Sequence, residues 1–172
     1  MTKEIVKQIK KTKQFIRSFD DYMNYFIFVF PIGFIAIGIT IMYSSIMSEL
    51  DLITLLISIL PISIGIALAI FTQRRLNDTI TFTTVPISSI NDANDIVDVI
   101  KKNFKLSKIE VDIELGVITA YTKLTFFSWG EKLTVIIDSK SLLINSRPTG
   151  SGQPLTIIKD KHNIKKLKCL LS

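Results

Sequence analysis

The residues able to do chemistry are few and dispersed. The chain has one histidine, His162, inside a lysine-rich stretch, and one cysteine, Cys169. General acid–base work needs a second group placed within hydrogen-bond reach of the imidazole, and a lone histidine in a lysine-rich segment is seldom catalytic without one. One cysteine rules out a disulfide framework, and no Cys/His spacing suits zinc. Gly150-Ser151-Gly152 lacks the following Lys-Ser/Thr and the strand–helix context of a phosphate-binding loop. The serines include no nucleophile elbow. Asp92, Asp95 and Asp98 precede Lys101, Lys102 and Lys105, an order that suits a helix dipole better than a metal site. The expectation is a protein that is not an enzyme and carries no cofactor or metal.

What remains is charge and one aromatic cluster. Lys161, Lys165, Lys166 and Lys168 crowd the C-terminal segment, and Arg74 and Arg75 follow a long apolar run. With Arg147, these are candidates for contact with an anionic lipid surface or a protein partner. Trp129 is the only tryptophan; within Phe126-Phe127-Ser128-Trp129-Gly130-Glu131 it reads as a core anchor or, if exposed, a binding residue. Nucleic acid is not expected, because no aromatic platform or known module is visible between the basic residues.

The elements that must position these groups are legible in the charge pattern. Asp21 and Glu49 are separated by 27 uncharged residues, and Asp51 and Arg74 by another 22. Each run is long enough to cross a bilayer. The expected division is a basic amphipathic leader over 1–21, a two-helix transmembrane hairpin over 22–73 (spans at about 25–47 and 52–71) and a cytoplasmic α+β domain over 79–172. The link Ser48-Glu49-Leu50-Asp51 forces the spans antiparallel. On the second span, Ser63 with Ala67 and Gly65 with Ala69 have small-xxx-small spacing, which lets backbones approach. Pro31 and Pro61 fall inside the two spans and predict bends. Basic residues flank the outer ends of the hairpin while its connection holds Glu49 and Asp51, so the positive-inside rule places both termini in the cytoplasm at the cell membrane. Neither span contains Asp, Glu, Lys, Arg or His, which argues against a proton or ion pathway.

The remaining chain reads β-α-β-β-β-β-α. A β-branched strand at 79–85 precedes a helix at about 90–104, capped by Ser88 or Ser89. Four alternating strands follow at 108–114, 117–125, 133–138 and 142–146, then a Pro/Gly/Ser loop over 147–154 and a helix at about 159–171. An antiparallel sheet with both helices on one face is the natural solution, leaving the other face to solvent, membrane or a partner.

Ser128-Trp129-Gly130-Glu131, Ser146-Arg147, Gln153 and Asn163-Ile164 resemble a pattern in small uncharacterised bacterial membrane proteins. In these, a Ser-Trp-Gly-Glu lead-in to a strand is followed by a Ser-rich strand ending near an Arg, a Gln-containing loop and an Asn-bearing terminal helix. The resemblance covers about 50 residues and implies a shared α+β domain without an assigned activity. In that family the loop runs from the Gln to an Asp and then Gly-Lys-Asn. Here Thr156, Ile158, Lys159 and Asp160 occupy that stretch, so only the Lys agrees.

Three functions fit these residues. The first is a membrane-anchored adaptor whose cytoplasmic domain binds a protein partner or the anionic inner leaflet. The second is an accessory subunit, or homo-oligomer, whose hairpin packs with other spans. The third, with least support, is a small hydrolase.

Overall fold

A computed structural model describes residues 1–47, 52–87, 93–123, 130–139, 141–149 and 159–171. The element order is α1 (Lys3–Thr12), α2 (Phe19–Met23), a 3-10 turn (Asn24–Phe28), α3 (Val29–Met47), α4 (Leu52–Ile80), β1 (Thr83–Pro86), α5 (Ala93–Asn103), β2 (Leu106–Asp112), β3 (Val117–Thr122), β4 (Glu131–Asp138), β5 (Ser141–Pro148) and α6 (Lys159–Leu171). The chain forms two compact units. One comprises Met1–Tyr22 together with Asn77–Ser172; the other is Met23–Leu76. The Ser48–Asp51 link, the Ser88 and Ser89 caps, Trp129 with its neighbours and Gln153 lie outside the described residues.

The first unit is α+β. Its five strands form one antiparallel sheet in the order β1-β5-β4-β3-β2. Because side chains alternate across a strand, β3, β4 and β5 each feed two cores. On one face Val85, Ile118, Ala120, Leu133, Val135, Leu142 and Ile144 meet Ile96, Val97 and Ile100 of α5 and Leu167 and Leu171 of α6. On the other, Val117, Ile136, Leu143 and Phe82 meet Val6 and Ile9 of α1.

The leader expected over 1–21 is therefore an integral part of the sheet domain. Val6 and Ile9 fall three residues apart on one side of α1 and are buried, while Lys3, Lys7 and Lys11 stay exposed. Each buried aliphatic contributes roughly 1.5–3 kcal/mol of transfer free energy. Thr2 caps the helix start by accepting from the Ile5 N–H, and Lys13 ends it in the left-handed region (φ 57°). The chain then pairs with the end of α4: Phe15 N–H donates to the Ile80 carbonyl and Phe82 N–H to the Lys13 carbonyl, both at 2.8 Å.

The strand expected at 79–85 is corrected. Residues through Ile80 belong to α4, and β1 starts at Thr83. Thr79 to Val85 is β-branched and alternating, but the carbonyls at the end of α4 find partners that local pattern does not contain. Thr81 donates its hydroxyl to the Asn77 carbonyl and its N–H to that of Asp78. The Asn145 side-chain amide donates to the Thr79 and Thr81 carbonyls, and Phe15 serves Ile80. The last turn is thus satisfied and does not unwind into strand.

The strand expected at 108–114 also shifts. β2 begins at Leu106 and stops at Asp112; Val111 and Ile113, expected to face inward, are exposed. They lie at the far end of an edge strand, where the helix-covered core does not reach. Asp112 accepts from the Leu115 N–H, and Gly116 closes the turn at φ 63°, a conformation that favours glycine.

Two helical segments, Phe19–Met47 and Leu52–Ile80, are long and apolar enough to cross a membrane, and the second unit consists of their parts within Met23–Leu76; each segment has about a tenth of its apolar window buried. A core helix of a soluble protein would be mostly covered. Pro31 sits in the first turn of α3, where no intrahelical donor is lost, because the preceding turn is 3-10. Pro61 lies mid-helix in α4. The buried residues of α3 are Pro31, Gly38 and Ser45, seven apart, and α4 buries Ser58, Gly65 and Thr72 at the same interval. A Cβ on Gly38 would stand 2.8 Å from the Ser58 carbonyl; one on Gly65 would stand 2.8 Å from that of Pro31. The two helices therefore touch backbone to backbone along a seven-residue repeat.

Candidate functional site

The sequence-predicted cationic residues separate into four places. Lys161, Lys165 and Lys168 lie at positions i, i+4 and i+7 of α6, one stripe of the helix. They line an open groove of about 340 Å³ whose other wall is Asp78, Thr81 and Thr83, with Asp160 and Ile164 at its base. Lys161 pairs with Asp78 at 2.9 Å. Among the described residues, Lys165 and Lys168 have no ion pair, so two exposed ammonium groups flank the groove.

Lys166 points elsewhere. It is half-buried, donates to the Asn103 carbonyl at 2.5 Å and stands 4.9 Å from the centre of the Phe104 ring. Asn103 is the last residue of α5, so Lys166 caps that helix and ties α6 to it. This is a packing role, and it removes Lys166 from the set of external contacts.

Arg74 is exposed on α4, whereas Arg75 is 3% exposed and already engaged with groups of the protein. Arg147 is half-buried on the sheet face covered by α1, its guanidinium 4.5 Å from the centre of the Phe15 ring. In the second unit, Gly65 sits at the close approach of α3 and α4, whereas Ser63 and Ala67 face outward and Ala69 is half-buried.

A second feature joins residues far apart in sequence. Glu131 is fully buried at the start of β4, its N–H donating to the Thr122 hydroxyl at 2.8 Å. The Ser146 hydroxyl donates to the Glu131 carboxylate at 3.4 Å and accepts from the Asn163 side-chain amide at 3.3 Å. Thr122 and Asn163 also line a pocket of about 200 Å³ with Lys105, Lys123, His162 and Lys166. The buried chain of hydrogen bonds from Asn163 through Ser146 to the Glu131 carboxylate ties β4, β5 and α6 together. Glu131, Ser146 and Asn163 come from the pattern quoted for the bacterial membrane proteins, and the network gives these positions a structural role. His162 is exposed at the pocket rim, with lysines around it. Among the described residues no three His, Cys, Asp or Glu side chains come together in a way that would hold a metal ion.

Sequence reasoning missed one arrangement. Lys132 of β4 stands directly opposite Arg147 of β5 and directly opposite Tyr121 of β3. Burial, and then the neighbouring Arg147 charge, hold the Lys132 ammonium below its ordinary pKa. Strand pairing could not be read from one sequence, so these cations were not seen to be neighbours.

Compared with protein-family models, with curated proteins and with solved structures, the chain matches none.

Proposed function

We propose that this protein is a membrane-anchored binding module. In this reading α3 and α4 cross the cell membrane as an antiparallel hairpin, and the α+β domain presents its Lys161–Lys165–Lys168 groove to anionic headgroups of the inner leaflet. The groove carries the reading: three lysines on one helical stripe, two of them without an acidic partner among the described residues. Each basic side chain near an anionic surface adds about 1 kcal/mol of attraction.

Membrane crossing is supported by the two apolar helices with their mostly uncovered surfaces. Same-side termini are supported by the domain itself. Gln14 and Thr81, on either side of the hairpin, are bridged partners in one compact unit. Two crossings bring the chain back to the side it left. The basic leader and Arg74 favour the cytoplasm for that side. Six residues separate Phe71, the end of the expected second span, from Asp78 of the groove in sequence.

Cys169 is exposed on α6 and is the only cysteine, so it accepts a single environment-sensitive fluorophore. The full chain, so labelled, is reconstituted in vesicles with and without phosphatidylglycerol. The reading expects a headgroup-proximal signal that needs the anionic lipid, weakens with salt and is lost in a K161M/K165M/K168M variant. A signal indifferent to lipid charge would sink it.

The accessory-subunit reading draws on a different observation. Ser63 and Ala67, one turn apart, face outward from the hairpin and leave room for a further span. Co-purification of a stoichiometric membrane partner, lost on Ser63→Leu with Ala67→Leu, would favour it.

A further inference from the structure

The sheet face that receives α1 changes character across three successive rows, each formed by directly opposed residues. The first row has an apolar centre, Val117, Ile136 and Leu143, between Asp112 and Thr84 at its ends, and this centre lies beneath Val6 and Ile9. The second row is polar: Glu110, Thr119, Thr134 and Asn145. The Thr134 hydroxyl and the Asn145 side-chain carbonyl are buried there with no hydrogen-bond partner among the described residues. The third row reads Lys108, Tyr121, Lys132 and Arg147 across four strands. Lys108 is neutralised by an ion pair with Glu110 on its own strand. Lys132 and Arg147 make no direct ion pair among the described residues; the Glu110 carboxylate, one row away on the same face, attracts Lys132 but is held by Lys108.

Two like charges directly opposite one another destabilise a sheet, because their Cβ atoms lie about 5 Å apart. Here both cations are also half-buried, which limits screening by water. Aromatic rings contact both cations, and no carboxylate bridges them. Arg147 stacks on Phe15 at 4.5 Å, and the Lys132 ammonium lies 5.8 Å from the centre of the Tyr121 ring. Neither ring removes the mutual repulsion. A single dianion seated between the two side chains would remove it, and a guanidinium beside an ammonium matches a phosphate group in charge and hydrogen-bond donors.

We propose that Lys132 and Arg147 form a phosphate-binding clamp on the α1 face of the sheet, bordered by Thr134 and Tyr121, for the phosphate group of a soluble molecule. The source is soluble because the pair is recessed: a flat headgroup surface meets protruding side chains such as Lys165 and Lys168, which are exposed, before half-buried ones. The clamp and the α6 groove share no lining residue. The inference does not rest on the lipid reading.

The test uses the full chain in zwitterionic lipid nanodiscs. Thermal unfolding is followed while inorganic phosphate replaces chloride at constant ionic strength. A ligand that binds the folded state raises the unfolding temperature in a saturable way. The clamp predicts a saturable rise for the native sequence and for K161M/K165M/K168M. It predicts a loss of about tenfold or more in apparent phosphate affinity for K132M and for R147M. Lys132→Met removes the like-charge contact, so that variant is expected to fold. No saturable rise in the native sequence would overturn the proposal, as would an undiminished rise in K132M and R147M. A rise lost only in K161M/K165M/K168M would place the anion in the α6 groove and overturn it as well.

Discussion

Asn145, in the middle of β5, donates its side-chain amide to the Thr81 carbonyl at 2.8 Å, and with its second hydrogen to that of Thr79 at 3.0 Å. One buried side chain thus closes the end of a 29-residue helix and fixes the direction in which the chain enters the sheet. Asn145→Ala strands two carbonyls and is expected to cost about 1–3 kcal/mol. Asn145→Asp is expected to be worse than alanine, because an ionised carboxylate has no donor for either carbonyl. Thermal unfolding of both variants in detergent measures the order; an Asp variant as stable as the native chain would contradict it.

The docking of α1 makes its own prediction. Ile9 is fully buried, so Ile9→Ala is expected to cost about 2–5 kcal/mol of domain stability. The leader should also become open to protease at Lys10, Lys11 and Lys13 while the strands stay protected. The two contacts of Lys10 and Lys13 with Asp138, at 3.7 and 3.6 Å, are partly exposed. Asp138→Asn is therefore expected to shift stability by under about 1 kcal/mol.

The glycines of the second unit separate cleanly. A Cβ on Gly38 or Gly65 would lie 2.5–2.6 Å from an isoleucine side chain and 2.8 Å from a backbone carbonyl, whereas Gly33 has nothing within 4 Å. Gly38→Ala and Gly65→Ala should force α3 and α4 apart and lower the unfolding temperature in detergent. Gly33→Ala should be neutral or mildly stabilising. Equal effects at all three positions would show that the helices do not approach as described.

Lys132 gives the pH dependence. Its folded-state pKa lies below the ordinary 10.5, through burial first and the Arg147 charge second. The folded state therefore binds that proton less well than the unfolded chain. The penalty is present at neutral pH and is relieved as pH rises toward 10.5. Lys132→Met is expected to unfold at a higher temperature than the native chain at pH 7, with the gap narrowing in alkali. A variant less stable at pH 7 would show that the opposed cations carry no cost.

Several elements were legible because their periodicity and their environment agree. The α6 helix spans the residues its pattern gives, and the β4 and β5 alternation sits where Leu133, Val135 and Ile144 feed the helix-covered core. The end of α4 was not legible, since its carbonyl partners Phe15 and Asn145 are remote in sequence. Lys165 and Lys166 are neighbours of one type, yet one faces a groove and the other caps α5; only the helix face distinguishes them. The small-xxx-small pattern predicts a close approach of the hairpin at four-residue spacing, whereas Pro31, Gly38 and Ser45 repeat at seven. Those residues were in plain view, but pairing them with Ser58, Gly65 and Thr72 requires the antiparallel offset.

The position of α1 also sets an order of assembly. Its apolar stripe is made before both apolar helices, and the surface that receives it, Val117, Ile136 and Leu143, is made after them. At ordinary rates of synthesis the delay is on the order of ten seconds. During it, Val6 and Ile9 have no home within the chain, while two apolar helices are already present for a bilayer to receive. The leader is thus a latch that closes after the hairpin has formed, and an N-terminal fusion bulky enough to hold it back should leave the finished sheet half-covered.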